Sequence, residues 1–225
     1  MGAQINTDME LAQRLADVAD ELSMQRFRSM DLQVETKPDR TPVTDADKSV
    51  EDAIRAQLTY ARAEDSIIGE EFGTSGDSER VWIIDPIDGT ANFLRGVPVW
   101  ATLIALRVDG EYVLGVVSAP AMGRRWWGAK DQGAFTRDID GTIRELKVSK
   151  VRDIADASFS FSSIELWDEN GELETLWEIS KKVWRTRAYG DFWSHMLVAE
   201  GVVDISAESH LKIYDWAALA PIVTE

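Results

Sequence analysis

The sequence predicts an α+β protein built from layers of helices and sheets, and three stretches of the chain carry this prediction. Two helical patterns come first, turn signals separate apolar strands in the middle third, and β and α patterns alternate after about residue 145. With 225 residues, of which 44% are hydrophobic, the chain is long enough to bury a sizeable core. We divide it into two halves of one protein, residues 1–145 and 146–225.

Two amphipathic helices are predicted near the start of the chain. Thr7 and Glu10 have the spacing of a capping box, which predicts that the first helix begins there. Its apolar positions recur at helical intervals, at Leu11, Leu15, Val18 and Leu22. Thr44 begins the second pattern, whose apolar face is formed by Val50, Ile54 and Leu58.

The middle third has the pattern of strands joined by tight turns. Short apolar runs rich in β-branched residues lie at 66–68, 81–84, 101–108 and 112–118. Asp109-Gly110 separates the last two runs, and Asp140-Gly141 follows a run with three aromatic residues. Asp-Gly pairs are typical of two-residue hairpins, so we predict a mainly antiparallel sheet.

The C-terminal half alternates between the two patterns. We predict strands at 158–161, 184–188 and 202–206, and helices at 173–183, at 192–200 and from Asp215 onward. The chain stops at Glu225 inside the last helical pattern, so we expect a shortened form that melts at a lower temperature than a longer one.

Composition and charge exclude several classes of function. Twenty-four basic and 40 acidic residues give a net charge of −16, which repels nucleic acids and anionic membrane surfaces. The longest apolar run, 97–106, is half of what a membrane span needs, about 20 residues. Without cysteine and with two histidines, thiolate and His-rich metal sites are excluded. The first residues do not resemble a signal peptide, and we expect a soluble, cytoplasmic protein.

Two carboxylates leave the end of a predicted strand together, in the segment WIIDPIDGTANF at 82–93. Asp85 and Asp88 are three residues apart, and Gly89 allows the backbone to approach a ligand closely. If Thr90 begins a helical turn, the free N–H groups of Gly89 and Thr90 face any anion bound there. An ordinary turn after the strand is the alternative for this segment taken alone.

Two further carboxylates lie at the boundary of a predicted strand or helix. Glu70 follows an apolar run, and Asp215 lies at the start of an apolar helix, although each alone also fits a surface turn or a helix cap. Oxygen ligands without sulfur or imidazole are those that Mg²⁺ prefers. Carboxylates about 4 Å apart repel by roughly 4 kcal/mol per pair at an effective dielectric constant of 20, so such a cluster needs cations.

These residues resemble the motifs of the magnesium-dependent inositol monophosphatase superfamily. Four motifs occur in the family's order, KPDRTPVTDAD at 37–47, IGEE at 68–71, the segment at 82–93 and YDWAAL at 214–219. The resemblance implies a layered α-β-α-β-α sandwich, a homodimer and a phosphomonoesterase that uses two or three Mg²⁺ ions. It implies no covalent enzyme intermediate.

The resemblance also implies a role for each motif residue. The implied metal ligands are Glu70, Asp85, the carbonyl of Ile87, Asp88 and Asp215. Asp47 and Thr90 orient and activate the attacking water, with Glu70 as a third catalytic residue, while Gly89 and Thr90 bind the phosphate. Asp47 also has the spacing to complete a capping box with Thr44.

Within the superfamily, the segments 92–106 and 187–208 are most similar to the actinobacterial histidinol-phosphate phosphatases. L-Histidinol phosphate has an ammonium group and an imidazole, so its pocket should offer extra carboxylates. The resemblance places Asp191 and Glu208 there, with helix cap and strand end as the alternatives, and Arg187 either at the substrate or in an ion pair. The alternative activities are those of an inositol-1-phosphate or broad sugar phosphatase, and of a non-catalytic subunit that binds metal or phosphate.

Overall fold

A computed structural model describes residues 2–38 and 41–225, and a mixed sheet of eight strands forms its centre. Asp39 and Arg40, which belong to the motif at 37–47, lie outside the described residues. The strands of this sheet are β3 Ser66–Gly69, β4 Gly73–Ser75, β5 Arg80–Asp88, β6 Ala101–Val108, β7 Glu111–Ala119, β8 Arg124–Ala129, β9 Gly133–Arg137 and β10 Ile143–Glu145. Their spatial order is β10-β9-β8-β7-β6-β5-β3-β4.

The remaining strands form two smaller sheets. A hairpin of two short strands precedes the second helix, and a parallel sheet of three strands lies in the C-terminal half. These strands are β1 Val34–Thr36, β2 Pro42–Thr44, β11 Ser158–Phe161, β12 Arg185–Arg187 and β13 Ile205–Ala207. The helices are α1 Gly2–Arg26, α2 Asp45–Ala61, α3 Thr90–Arg95, α4 Ile164–Glu169, α5 Leu173–Ser180, α6 Asp191–Ala199, α7 Ile213–Trp216 and α8 Leu219–Thr224.

The helices and sheets stack in five layers, as the predicted fold class requires. Helices α1 and α2 cover one face of the large sheet, and α6 and α8 cover the other. The three-stranded sheet packs beyond α6, and its outer face is covered by α4 and α5. The order is therefore α-β-α-β-α, and none of the helices in the described part of the chain is long and apolar enough to cross a membrane.

Alternation along the central strand explains why both faces of the large sheet are buried. In β5, Trp82 and Ile84 pack toward α1 and α2, whereas Val81 and Ile83 pack toward α6 and α8. A strand that is apolar on both faces belongs in the middle of a sandwich. The second of these cores joins residues of both halves, and the division proposed at residue 145 falls at the end of β10.

The predicted hairpins are confirmed. Strands β6 and β7 pair antiparallel around Asp109-Gly110, and β9 and β10 pair antiparallel around Asp140-Gly141. From β5 to β10 every neighbouring pair is antiparallel. Strands β3 and β5 instead run parallel, with β4 between them in the sequence and at the outer edge of the sheet.

Several predicted boundaries are wrong, among them the end of the helix predicted at 173–183, which is Ser180. The first helix begins at Gly2, not at Thr7, because the Thr7 hydroxyl donates within the helix to the Gln4 carbonyl at 2.8 Å. The strand predicted at 202–206 is β13, Ile205–Ala207, because Gly201 turns the chain with a φ of 71°. Asp204 accepts the backbone N–H of Ser158 at 2.6 Å and thereby fixes where β13 meets β11. The short helix α4 was missed.

Candidate active site

Three carboxylates converge where β5 ends. One oxygen from each of Asp85, Asp88 and Asp215 lies within 4.8 Å of the other two. Asp85 and Asp88 belong to β5, whose pairing with β6 is irregular between these two residues, and Asp215 lies in the first turn of α7. Pro86 has no N–H to donate to the ladder, and its carbonyl instead accepts the Thr102 hydroxyl at 2.8 Å. The irregularity lets both carboxylates leave the strand on the same side.

The electrostatic environment of Asp85, Asp88 and Asp215, which we call the acidic trio, favours the binding of a cation. Asp85 is 2% exposed, and its Oδ1 is buried without a hydrogen-bond partner. Burial, followed by the charges of Glu70 and Asp88, raises the pKa of Asp85 well above its usual value. Buried acceptors without partners are rare because they lose their hydration. An oxygen-only set of ligands around an unpartnered carboxylate fits a hard divalent cation such as Mg²⁺.

Backbone amides hold the other two carboxylates of the trio. The N–H of Phe192 donates to Asp88 Oδ2 at 2.8 Å, and that of Lys212 donates to Asp215 Oδ2 at 2.6 Å. Burial raises the pKa of Asp215 to about 6 and that of Asp88 well above its usual value. Each carboxylate therefore has one oxygen fixed by the C-terminal half of the chain and a second available for a ligand.

Glu70 lies beside this trio but not within it. Its Oε1 accepts the Lys37 ammonium at 2.7 Å, and Lys37 also donates to Glu71 Oε1 at 2.7 Å. Burial raises the pKa of Glu70, and Lys37 opposes that shift. Glu70 also raises the pKa of Asp85, so the two carboxyl groups share one electrostatic environment. The predicted ligand Glu70 is paired with a lysine in this structure.

A carboxylate and a hydroxyl face each other next to the trio. Asp47 is fully buried, and its Oδ1 lies 3.3 Å from Thr90 Oγ1. Its Oδ2 accepts the Thr44 N–H at 2.7 Å, which confirms the predicted capping box of α2. Burial raises the pKa of Asp47 to about 6. Thr90 Oγ1 also lies 3.0 Å from the carbonyl oxygen of Ile87.

The turn between β5 and α3 has the predicted conformation. Thr90 begins α3, and Gly89 precedes it with a φ of 84°, which an L-residue rarely adopts. A Cβ at Gly89 would lie 3.0 Å from the Val99 carbonyl oxygen and 3.3 Å from Asp191 Oδ2. A side chain at this position would therefore require Val99 and Asp191 to shift, in addition to the strain of the positive φ.

A cavity of about 400 Å³ opens beside Asp88 and Asp215. Asp191 lies in its wall, where the side-chain amide of Asn92 donates to Asp191 Oδ2 at 3.0 Å. Burial, followed by the charge of Glu208, raises the pKa of Asp191 to about 6. Asp191 is the first residue of α6 rather than its cap, with a φ of 50°. No basic side chain in the described part of the chain pairs with it.

Glu208 also lines this cavity and has a partner that sequence reasoning missed. It follows β13 directly, its side chain is 8% exposed, and its Oε1 lies 2.9 Å from His195 Nε2. A carboxylate only accepts, so His195 Nε2 is the donor. His195 lies on α6 four residues after Asp191, a spacing that places both on one helix face. That spacing was the available signal in the sequence.

Arg187 is exposed at the end of β12, and its guanidinium donates to the Thr186 carbonyl at 2.7 Å. Among the described residues it neither lines the cavity nor forms an ion pair.

The sequence profile of the inositol monophosphatase family matches residues 5–225. The chain belongs to the inositol monophosphatase family. Solved structures of similar proteins agree with this assignment. An extragenic suppressor protein suhB from Bartonella henselae superposes with a TM-score of 0.88 at 30% identity, covering 97% of this chain and 84% of that one. For an inositol monophosphatase from Zymomonas mobilis the TM-score is 0.84 at 37% identity, covering 97% and 83%.

The relatives of this inositol monophosphatase family member include proteins named histidinol-phosphatase. The protein from Streptomyces coelicolor is 55% identical over 97% of this chain and 84% of its own length. The protein from Mycobacterium tuberculosis is 53% identical over the same shares of the two chains.

Proposed function

We propose that this chain is a Mg²⁺-dependent phosphomonoesterase that hydrolyses L-histidinol phosphate to L-histidinol and phosphate, a step of histidine biosynthesis. The observation that carries the proposal is the cavity beside the acidic trio, where Asp191 and Glu208 add two carboxylates. The histidinol-phosphatases that are more than half identical to this chain support the same substrate.

The acidic trio is the part of the site that would hold the metal. We assign Asp85, Asp88 and Asp215 as ligands, with the carbonyl of Ile87 and with Glu70 once Lys37 releases it. Bound Mg²⁺ would neutralise the phosphate and the leaving alkoxide and lower the pKa of a water molecule. The number of ions, two or three, remains a prediction.

The chain's own residues would position the reactants. The Asp47 carboxylate, oriented by Thr44, would accept a proton from the attacking water, and the adjacent Thr90 hydroxyl would help to orient that water. The N–H groups of Gly89 and Thr90 would donate to the phosphate oxygens at the start of α3. Positioning and charge neutralisation are the main requirements of phosphoryl transfer.

The substrate's organic part would lie in the cavity. L-Histidinol phosphate has an ammonium group and an imidazole, and the Asp191 and Glu208 carboxylates are acceptors for such donors. A neutral polyol would cover the half-buried Asp191 without providing a counterion, which is unfavourable. We do not assign Arg187 a role in substrate binding.

The deciding experiment compares kcat/KM for L-histidinol phosphate and inositol-1-phosphate, each with Mg²⁺ and with EDTA. We expect activity with Mg²⁺ only and a preference for the histidinol ester. A preference for inositol-1-phosphate would overturn the substrate and favour the alternative of an inositol or sugar phosphatase.

Asp88→Asn tests whether the site is catalytic at all. Removing a charge from the trio should reduce kcat/KM by more than the roughly 10- to 100-fold typical of residues that only support ligands. If the wild-type protein hydrolyses no phosphate ester and Asp88→Asn changes nothing, the chain is a non-catalytic subunit that binds metal or phosphate.

The assembly and the location of the enzyme belong to the same proposal. We propose a homodimer, as in the resemblance described above, which sedimentation analysis of the purified chain tests directly. We also propose that the reaction takes place in the cytoplasm.

A further inference from the structure

The His195–Glu208 pair is a feature of the cavity that the proposed catalytic mechanism does not use. Helix α6 holds His195, whose side chain is 19% exposed, and Glu208 follows β13 with its side chain 8% exposed. The pair therefore joins two elements of different layers at the cavity wall. Glu208 lines the cavity, whereas His195 lies behind it.

The charges around Glu208 explain why its carboxylate needs a fixed partner. Glu208 lines the same cavity as Asp88, Asp191 and Asp215, and its charge raises the pKa values of all three. Repulsion between like charges favours a rotamer that turns the Glu208 side chain away from them. The hydrogen bond from His195 Nε2 opposes that movement, because hydrogen bonds to charged groups are among the stronger ones.

The geometry also leaves half of the carboxylate free. His195 occupies Oε1, and none of the described residues donates a hydrogen bond to Oε2. One oxygen is thus fixed from behind the wall while the second is available to a donor in the cavity. Asp191, on the same face of α6 as His195, is held in a similar way, because the side-chain amide of Asn92 in α3 donates to its Oδ2.

We propose that His195 is a positioning residue that holds the Glu208 carboxylate toward the cavity and thereby makes the enzyme prefer phosphate esters with a cationic organic part. This inference rests on the proposed function, because it concerns the selectivity of the same site. His195 itself contacts neither the phosphate nor the reacting water.

The test is a steady-state comparison of His195→Phe and His195→Gln with the wild type at saturating Mg²⁺. The two substrates are L-histidinol phosphate, whose organic part has an ammonium group, and glycerol 2-phosphate, which has no cationic group. Phenylalanine keeps the ring but has no donor, whereas the glutamine amide places an N–H near the position of His195 Nε2. Thermal melting of each variant monitors folding.

We expect His195→Phe to raise KM for L-histidinol phosphate by about tenfold, the effect of losing one hydrogen bond to a charged group, with kcat within about twofold. KM for glycerol 2-phosphate should stay within about twofold, and His195→Gln should restore most of the affinity for the cationic ester. An unchanged KM in His195→Phe overturns the proposal, as does an equal loss for both esters.

Failure of the proposed function gives a different result. A wild type that does not prefer L-histidinol phosphate over glycerol 2-phosphate removes the proposed function and this inference with it. A wild-type preference that persists in His195→Phe removes only the inference.

Discussion

At the scale of single residues, the acids of the site differ in the hydrogen bonds that their carboxylate oxygens accept. Asp85 Oδ1 has no partner, Asp88 and Asp215 each hold a backbone N–H, and Asp47 is fixed by Thr44. In the proposed mechanism the same residue type would therefore serve as a ligand, as a proton acceptor or as a substrate contact, according to what surrounds it. Residue identity alone does not separate these roles.

Asp191→Asn tests the residue that we assign to the substrate's cationic end. Asparagine keeps the shape and removes the charge, so we expect KM for L-histidinol phosphate to rise by about tenfold, in line with the strength of hydrogen bonds to charged groups. KM for inositol-1-phosphate should change by less than about threefold. Steady-state kinetics with both esters at saturating Mg²⁺ provides the measurement.

Asp52→Asn is the matched control for this change. Asp52 is exposed on α2, so the same loss of one negative charge should leave both KM values as they are. Equal effects of Asp191→Asn on the two esters would contradict the assignment of Asp191 to the cationic group.

At the scale of elements, the turn from β5 to α3 sets the geometry of the site. Strand β5 delivers Asp85 and Asp88, and α3 begins with Thr90 immediately after the turn. The positive φ of Gly89 turns the chain between the last residues of β5 and the first residue of α3, so that the strand's carboxylates and the Thr90 hydroxyl belong to one short segment. A change at this turn should therefore affect stability and activity together.

Gly89→Ala and Gly110→Ala separate the effect of the backbone from that of the close approach. Both glycines have a positive φ, 84° and 85°, so alanine costs about 1–2 kcal/mol at either position. A Cβ at Gly110 meets nothing within 4 Å, whereas one at Gly89 would crowd Val99 and Asp191. We expect Gly89→Ala to lower the free energy of unfolding by about 1–3 kcal/mol more than Gly110→Ala does, which is the usual cost of local strain.

Denaturant unfolding and steady-state kinetics check this pair of variants. Gly110→Ala should keep the wild-type kcat/KM, while Gly89→Ala should lose about 100-fold, because a misplacement of about 1 Å has that effect on oriented reactants. The same loss of stability in both variants, with activity intact, would show that Val99 and Asp191 leave enough room for a Cβ at position 89.

At the scale of the whole molecule, the net charge of −16 is distributed unevenly. Most acids are on the surface, whereas Asp47 and Asp85 are buried and Asp191 is half-buried near one end of the large sheet. Burial raises the pKa of Asp47, Asp191 and Asp215 to about 6, above their ordinary value of 3.8. The folded chain therefore stores repulsion that a bound cation would relieve.

The sign of the resulting pH dependence follows from these shifts. Because these carboxyl groups bind protons more tightly in the folded chain, their contribution to stability is complete below about pH 4 and is lost as the pH rises through about 6. Mg²⁺ should offset that loss, so the increase in Tm between EDTA and Mg²⁺ should be larger at pH 7.5 than at pH 5.

Thermal melting at both pH values, with and without Mg²⁺, measures this difference. Asp88→Asn should show a much smaller increase in Tm at either pH, while Asp52→Asn should behave as the wild type does. If Mg²⁺ increases Tm as much at pH 5 as at pH 7.5, the carboxyl groups with raised pKa values do not belong to the cation site.

Local patterns predicted a large part of the fold. The hairpin at Asp109-Gly110, the second helix beginning after Thr44 and the start of α3 at Thr90 depend on neighbours in the sequence, and all are confirmed. The start of α1 was wrong because a threonine hydroxyl can also bond inside a helix. The parallel pairing of β3 with β5 was missed because the direction of pairing depends on where β4 lies.

The sequence by itself determined the layered fold, the family and the candidate ligands, since periodicity, turn residues and motif spacing are local properties of the chain. Only the tertiary structure decided which side chains meet, such as Lys37 with Glu70, Asn92 with Asp191 and His195 with Glu208. These contacts span 33, 99 and 13 positions. Their geometry follows from how whole layers stack, which is a property of the packed core rather than of any one segment.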